Sequence, residues 1–347
     1  MANIIQIGDY QIGENHPPFI IAEMSGNHNQ SLERAMKIVD AAADAGAHAI
    51  KLQTYTADTI TVKGAMTVNE GGSLWEGREL YDLYKEAHTP WEWHAAIFDH
   101  AKKRGLIAFS SPFDTTAVDF LETLSVPAYK IASFENTDWI LLKRIAQTGK
   151  PVIMSTGVAS LADIDESVKV LRSHGCEDII LLKCTSTYPS TPENTNLRSI
   201  PIIRETFNCL TGLSDHTMGV GAAVAAIAMG AVMIEKHFTL SRAEGGVDSA
   251  FSLEPDELKM LVTETHRAFL AMGNVQIGIQ PAEMENLKYK RSLFAVKDIQ
   301  PGEAFSEDNI KSKRPATGIE TKFYDIIEGR TSKVYIKAGT PLTWDHI

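Results

Sequence analysis

Four lysines and two histidines carry the clearest chemical signal in this sequence. Lys51 lies in the apolar run AIKLQ (49–53), Lys130 in AYKIAS (128–133), Lys183 in IILLKC (179–184) and Lys236 in VMIEKH (232–237). A single lysine in such a run could be a surface residue that snorkels to solvent. Four of them ask for partners, because an ammonium buried alone gives up its proton. Hydroxyls gather at the ends of the same runs: Ser110 and Ser111, Ser133, Ser155 and Thr156, Thr185 and Ser186, and Ser214. Lysines and hydroxyls that converge make a pocket for phosphate or carboxylate. His216 and His237 follow two successive runs at equivalent positions. Paired imidazoles with no thiolate beside them in sequence suit an open divalent-cation site, Mn²⁺, Mg²⁺ or similar, acting as a Lewis acid. His28 is a third, weaker candidate.

Something must bring these residues to one place. Eight short apolar runs recur, at 19–22, 49–53, 106–111, 128–133, 151–156, 179–184, 209–214 and 232–237, most of them separated by helix-period segments. Runs without polar alternation suit parallel strands buried on both faces. Gly46, Gly105, Gly149 and Gly175 stand where helices should end. Eight such units fit a closed (β/α)₈ barrel over residues 1–282, whose active site lies at the C-terminal strand ends. An open doubly wound sheet is the alternative, but no GxGxxG follows the first strand. At those ends stand Glu23, Lys51, Gln53, Ser111, Glu135, Tyr188, Asp215 and Glu235, beside the residues above. The segment 54–88 is long for a βα loop, and with Trp75 and a short helix it reads as a lid. After a linker at 283–290 the rhythm stops. Short strands and Gly/Pro turns over 291–347 predict a small β-rich domain, slightly basic where the barrel is acidic.

Composition limits the partners. The 347 residues are 44% hydrophobic and 22% charged, which excludes a disordered or fibrous chain. A net charge of −11 argues against nucleic acid and anionic membranes, yet leaves room for an anionic small molecule in a local cationic pocket. Cys176, Cys184 and Cys209 offer no disulfide framework or metal knuckle, and MANIIQIGDYQIGENHPPF has no signal-peptide pattern, so a cytoplasmic location is expected. The apolar stretch 220–234 is short and reads as a helix running into a strand, not a membrane span.

The ordered motifs IAEMSGNHN (21–29), KLQTY (51–55), FSSPFD (109–114), KIAS-E (130–135), MSTG (154–157), CTSTYP (184–189), GLSDHT (212–217) and IEKHF (234–238) resemble the sialic acid synthases. The resemblance covers essentially the whole chain. It implies a barrel joined to a domain similar to type III antifreeze proteins (a SAF domain), whose KRP-TG motif is at 313–318 here. Such enzymes condense phosphoenolpyruvate with an amino sugar to give a nine-carbon keto acid and phosphate. The segments at 73–94, 130–136 and 183–189 look most like the pseudaminate-forming branch. The N-acetylneuraminate branch typically has Gly where Phe134 stands and Asn where Ser186 stands. The implied acceptor is then 2,4-diacetamido-2,4,6-trideoxy-L-altrose, with Phe134 as an apolar pocket wall suited to a sugar without a C6 hydroxyl. N-acetylneuraminate or legionaminate synthesis and, more remotely, a Schiff-base barrel aldolase are the alternatives.

The resemblance also implies roles. Lys51, Gln53, Ser111, Lys130, Ser133, Ser155 and Ser214 would hold phosphoenolpyruvate, with Ser111 replacing a threonine usual in the sister branch. Ser186, Tyr188 and Asp248 would complete the substrate pocket. His216 and His237 would bind the divalent metal ion, Glu23 would stand beside the reacting carbons, and Glu135 would transfer a proton or bind sugar. Arg314 would reach the neighbouring barrel in a domain-swapped homodimer.

Overall fold

The computed structural model describes residues 4–69 and 75–347. The chain divides into two compact units, Met1–Gly273 and Asn274–Ile347. That division precedes the 282/283 boundary expected from the sequence, and most of the expected 283–290 linker lies in a 3-10 helix, Pro281–Tyr289.

The first unit opens on an antiparallel pair, β1 (Ile5–Ile7) and β2 (Tyr10–Ile12). Eight parallel strands follow: β3 (Phe19–Glu23), β4 (Ala49–Thr54), β5 (Ile107–Pro112), β6 (Tyr129–Ile131), β7 (Val152–Ser155), β8 (Ile179–Cys184), β9 (Leu210–Asp215) and β10 (Met233–His237). They close into a barrel in the order β10-β3-β4-β5-β6-β7-β8-β9. Every residue of β3, β6, β7 and β9 is buried, as unbroken apolar runs require when helices cover the outside and side chains fill the inside. These are the eight runs picked out in the sequence.

Between the strands run α1 (Leu32–Asp44), α2 (Ala57–Ile60), α3 (Leu80–Ala87), α4 (His94–Lys103), α5 (Thr115–Thr123), α6 (Trp139–Ala146), α7 (Leu161–Ser173), α8 (Ser199–Phe207) and α9 (Gly221–Ala228), and α10 (Pro255–Met272) follows β10. Ser31 caps α1 by accepting the Arg34 N–H at 3.2 Å, and Ser160 with Asp163 forms a capping box on α7. Gly46 (φ 85°) and Gly175 (φ 104°) turn the chain at the ends of α1 and α7 in the left-handed region that glycine tolerates. The stretch 220–234 is α9 and the start of β10, and no helix among the described residues is long and apolar enough to cross a membrane.

The hairpin β1–β2 was not foreseen, because three-residue strands are too short to show a period. Ile5, Ile7 and Ile12 pack into the core with Phe19, Val152, Ile179 and Met233, all first residues of barrel strands. The hairpin therefore closes the N-terminal mouth, and chemistry is left to the other end.

The second unit has its own core of Leu293, Ala295, Ile299, Phe305, Ile310, Ile319, Ile327, Ile336 and Leu342. Its strands β11 (Ser292–Ala295) and β12 (Ile310–Lys313) pair antiparallel, and bridges such as Phe294 to Pro341 and Ile299 to Ile336 extend the β structure. A short helix, α11 (Tyr324–Ile327), completes it.

Candidate active site

Strand register assembles the charged residues at the C-terminal mouth. Glu23 on β3 is paired with Lys51 on β4 and with His237 on β10, while Gln53 on β4 pairs with Ser111 on β5. Inside the barrel Lys51 forms an ion pair with Glu23 and donates to Ser111 Oγ at 3.1 Å. Glu23 Oε1 accepts from the Ser25 N–H at 3.0 Å and from Gln53 Nε2 at 3.1 Å. On the far side Lys130 donates to Ser155 Oγ at 2.7 Å and to the Ile131 carbonyl at 3.0 Å. Glu235 stands between the two ammonium groups. Its Oε1 lies 3.8 Å from Lys51 Nζ and 3.6 Å from Lys130 Nζ and accepts from Ser214 Oγ at 3.3 Å. Its Oε2 is buried without a hydrogen-bond partner.

In the sequence Glu235 stands at a strand end and nothing at that position alone marks its role. The signal was available: alternation puts residues two apart on one face, so a β10 that points His237 into the mouth also points Glu235 there. The same alternation separates the four lysines. Lys51 and Lys130 enter the barrel. Lys236 is wholly buried and pairs with Asp215 at 2.7 Å, whereas half-buried Lys183 binds the Cys184 carbonyl at 2.8 Å and Thr185 Oγ1 at 3.1 Å.

Burial and neighbours set the charges. Burial pushes Glu23 above the usual carboxylate range, against the pull of Lys51. Glu235 is also desolvated, but Lys130 and Lys51 outweigh this and hold it below that range. Burial lowers Lys130, whereas the Glu23 and Glu235 carboxylates more than offset it at Lys51. Glu135, just beyond β6, is pushed up to about 7 by burial, and its Oε2 is enclosed without a partner. The mouth thus holds two ammoniums among hydroxyls, which is an anion cradle, and a carboxylate poised to hold or release a proton near neutrality.

Ser133 and Ser186 approach each other over Gly157, where a Cβ would lie 2.6 Å from Ser133 Oγ and 2.2 Å from Ser186 Oγ. A side chain there would fill the space that both hydroxyls share. Asp248 accepts a hydrogen bond from Ser25 Oγ and lies 4.0 Å from His237 Nδ1. Phe134, expected in the pocket wall, is exposed, because Ser133 and the Glu135 carboxylate take the inward directions on that turn. The apolar side of the site is made of Trp75, Tyr188 and Phe251 instead: Tyr188 lies 5.8 Å from Trp75, 4.6 Å from His216 and 5.3 Å from Phe251, centroid to centroid. Residues 70–74 of the expected lid lie outside the described residues; its described part holds α2, a bridge from Thr67 to Glu79, and α3. Arg314 is exposed in the second unit, directly after β12. His28 is buried against Thr89 at 3.1 Å, away from the other two histidines' contacts.

The two histidines fit a divalent cation. Their ring centroids are 5.4 Å apart. His216 Nδ1 meets the Thr185 carbonyl at 3.1 Å; a carbonyl only accepts, so this bond needs Nδ1–H, and in the neutral ring it puts the free lone pair on Nε2, as second-shell bonds to metal ligands do. Burial, then the nearby cations, keep His237 neutral, and its Nδ1 is buried with no hydrogen-bond partner. Among the described residues no group of three or more His, Cys, Asp or Glu forms a ligand cluster.

Comparison with known proteins now places the molecule. Residues 38–277 match the NeuB family and residues 290–347 match the SAF domain. The chain belongs to the NeuB family. It is 44% identical to the pseudaminic acid synthase of Campylobacter jejuni subsp. jejuni serotype O:2, over 97% of this chain and 98% of that protein. It is 43% identical to the pseudaminic acid synthase of Helicobacter pylori, over 95% and 98%. Among solved structures, the N-acetylneuraminic acid (sialic acid) synthetase of Leptospira borgpetersenii serovar Hardjo-bovis superposes with a TM-score of 0.73 at 34% identity, covering 83% of this chain and 96% of that one. The barrel followed by a SAF domain is thus the NeuB arrangement read from the motifs.

Proposed function

We propose that this chain is a pseudaminic acid synthase, joining phosphoenolpyruvate to 2,4-diacetamido-2,4,6-trideoxy-L-altrose with water to give pseudaminic acid and phosphate. The observation that carries the reading is the 44% identity, over nearly the full length of both chains, to a protein of that name. Lys51 and Lys130, with Gln53 and the hydroxyls of Ser111, Ser133, Ser155 and Ser214, hold the phosphate and carboxylate of phosphoenolpyruvate. Ser186, Tyr188 and Asp248 line the acceptor side. His216 and His237 would hold a divalent cation, Mn²⁺ or Mg²⁺, which would supply Lewis-acid polarisation of the aldehyde of the open-chain sugar. A carbon–carbon bond forms from the enol carbon to the aldehyde, C2 gains cationic character, water adds there, and the C2–O bond to phosphate breaks. Glu23 is placed to offset that positive charge or orient the water, and Glu135 to carry a proton.

The test is phosphate release from phosphoenolpyruvate with a panel of N-acetylated hexoses. The altrose-configured diacetamido sugar should turn over and N-acetylmannosamine scarcely at all; equal rates would move the assignment to another branch of the family. Chelation should stop turnover, and Mn²⁺ or Mg²⁺ should restore it.

We further propose a homodimer with exchanged SAF domains, in which Arg314 serves the neighbouring site. Support comes from the segment after α10, where Val275 and Ile277 are 99% and 98% exposed although apolar. Arg314→Ala and Glu23→Ala should each be inactive alone and recover together, because a mixed dimer has one intact site. Random 1:1 mixing should make roughly a quarter of all sites wild-type. No recovery in a mixture shown to contain mixed dimers would place Arg314 elsewhere.

A further inference from the structure

Trp75 comes from the long connection between β4 and α3, yet it touches loops that follow β8 and β10. Its indole N–H donates to the Val247 carbonyl at 3.1 Å, next to Asp248, and its ring packs 5.8 Å from Tyr188. Tyr188 continues to His216 at 4.6 Å and to Phe251 at 5.3 Å, and Phe251 lies 4.9 Å from His237. One aromatic wall therefore runs from Trp75 to both imidazoles. Phe251 is buried, whereas Trp75 and Tyr188 are half-buried. The cationic pair comes from other strands, β4 and β6. A sugar that puts its anionic partner at the lysines and its aldehyde near the histidines must lay another part against aromatic carbon. Aromatic faces accept C–H groups and methyls; a hydroxyl pressed on them loses its water and finds no replacement.

We propose that Trp75 is a specificity-determining residue: with Tyr188 and Phe251 it forms the apolar wall that receives the deoxygenated C6 methyl of the acceptor sugar. This rests on the synthase reading above. The hydrogen bond to Val247 gives Trp75 a second effect, since it ties down the loop that carries Asp248.

The experiment compares two acceptors in the full-length enzyme, the diacetamido sugar with a C6 methyl and the same sugar with a C6 hydroxymethyl. Wild type should favour the methyl sugar by at least about tenfold in kcat/KM, the usual reach of an apolar pocket towards one small group. Trp75→Ala should bring that preference within about twofold, chiefly through the KM of the methyl sugar, with the KM of phosphoenolpyruvate unchanged. Trp75→Phe should keep most of it, and Trp75→Gln, which retains bulk but adds polarity, should lose or reverse it. Equal losses towards both sugars in Trp75→Ala and Trp75→Gln would make Trp75 a structural clasp and overturn the inference. Calorimetric binding of both sugars to wild type separates the two failures. If neither binds, the reading of the substrate falls and takes the inference with it; if both bind equally, only the inference falls.

Discussion

β10 carries two kinds of buried charge side by side. Lys236 pairs with Asp215 at 2.7 Å, both side chains fully enclosed, and also donates to the Thr217 carbonyl. Asp215 accepts from the Thr217 N–H at 2.9 Å and hydroxyl at 2.8 Å. The Lys236 ammonium is sealed on the helix side of the strand, within the field of Glu257 on α10. One residue away Glu235 faces the barrel, spread between two lysines at more than 3.5 Å, with one oxygen unpartnered. The sealed pair is matched in charge and has no exposed face for a ligand. In the open cluster Glu235 is the loosely held member, and the hydroxyl partners of Lys51 and Lys130 leave hydrogen bonds that an incoming anion could take over. The alternation of one strand thus separates a structural ion pair from a binding site.

The sharpest way to break this contrast is to remove one ammonium from each. Lys130→Met should lower kcat/KM by about 10²–10³-fold, as loss of a preorganised charge-stabilising donor does, while stability falls less than in Lys236→Met because Glu235 keeps Lys51 and Ser214. Steady-state phosphate release and urea unfolding of the two variants make the comparison. If Lys130→Met kept its activity, the barrel cluster would be as structural as the sealed pair.

The complementary change is Lys236→Met. It strands Asp215 in a dry environment and should cost about 3–5 kcal/mol, with kcat of the folded fraction within a few-fold of wild type. Lys236→Met with Asp215→Leu should regain most of that stability, since a packed apolar pair often replaces a buried ion pair without loss. Urea midpoints decide the matter. A single variant as stable as wild type would show that the pair adds little, and a double variant no better than the single would point to a wider network.

How much of this was legible in the sequence follows the same division. The eight strands were visible because each is an apolar run bounded by turns, and the mouth residues because they end those runs. Lysine orientation was hidden: Lys51 and Lys236 have similar apolar surroundings in sequence, and only strand register decides which meets Glu23 and which meets Asp215. Phe134 is exposed between two inward-facing neighbours, a placement its own hydrophobicity does not reveal. Trp75 reads as a lid residue by its type, but its partners Val247 and Tyr188 are far away along the chain and no periodicity connects them.

The smallest effect sharpens the comparison through pH. Glu135 forms no ion pair like those of Glu235, and burial, against the more distant pull of Lys130, raises it from 4.5 to about 7. Below 4.5 the folded and unfolded chains both keep the proton, so this group contributes no difference. Between 4.5 and 7 the folded chain retains a proton that the unfolded chain has released, so stability falls as pH rises. Above 7 both are ionised and the full cost remains, up to about 3 kcal/mol. Glu135→Gln abolishes this titration. The variant should match wild type near pH 4.5 relative to a common offset, gain on it steadily up to pH 7, and keep a constant lead beyond. Urea unfolding at pH 4.5, 6 and 8 reads the difference directly. A wild-type-minus-variant difference that does not change with pH would mean that the Glu135 carboxyl titrates as if in water, and the enclosed proton carrier at this mouth would have to be sought elsewhere.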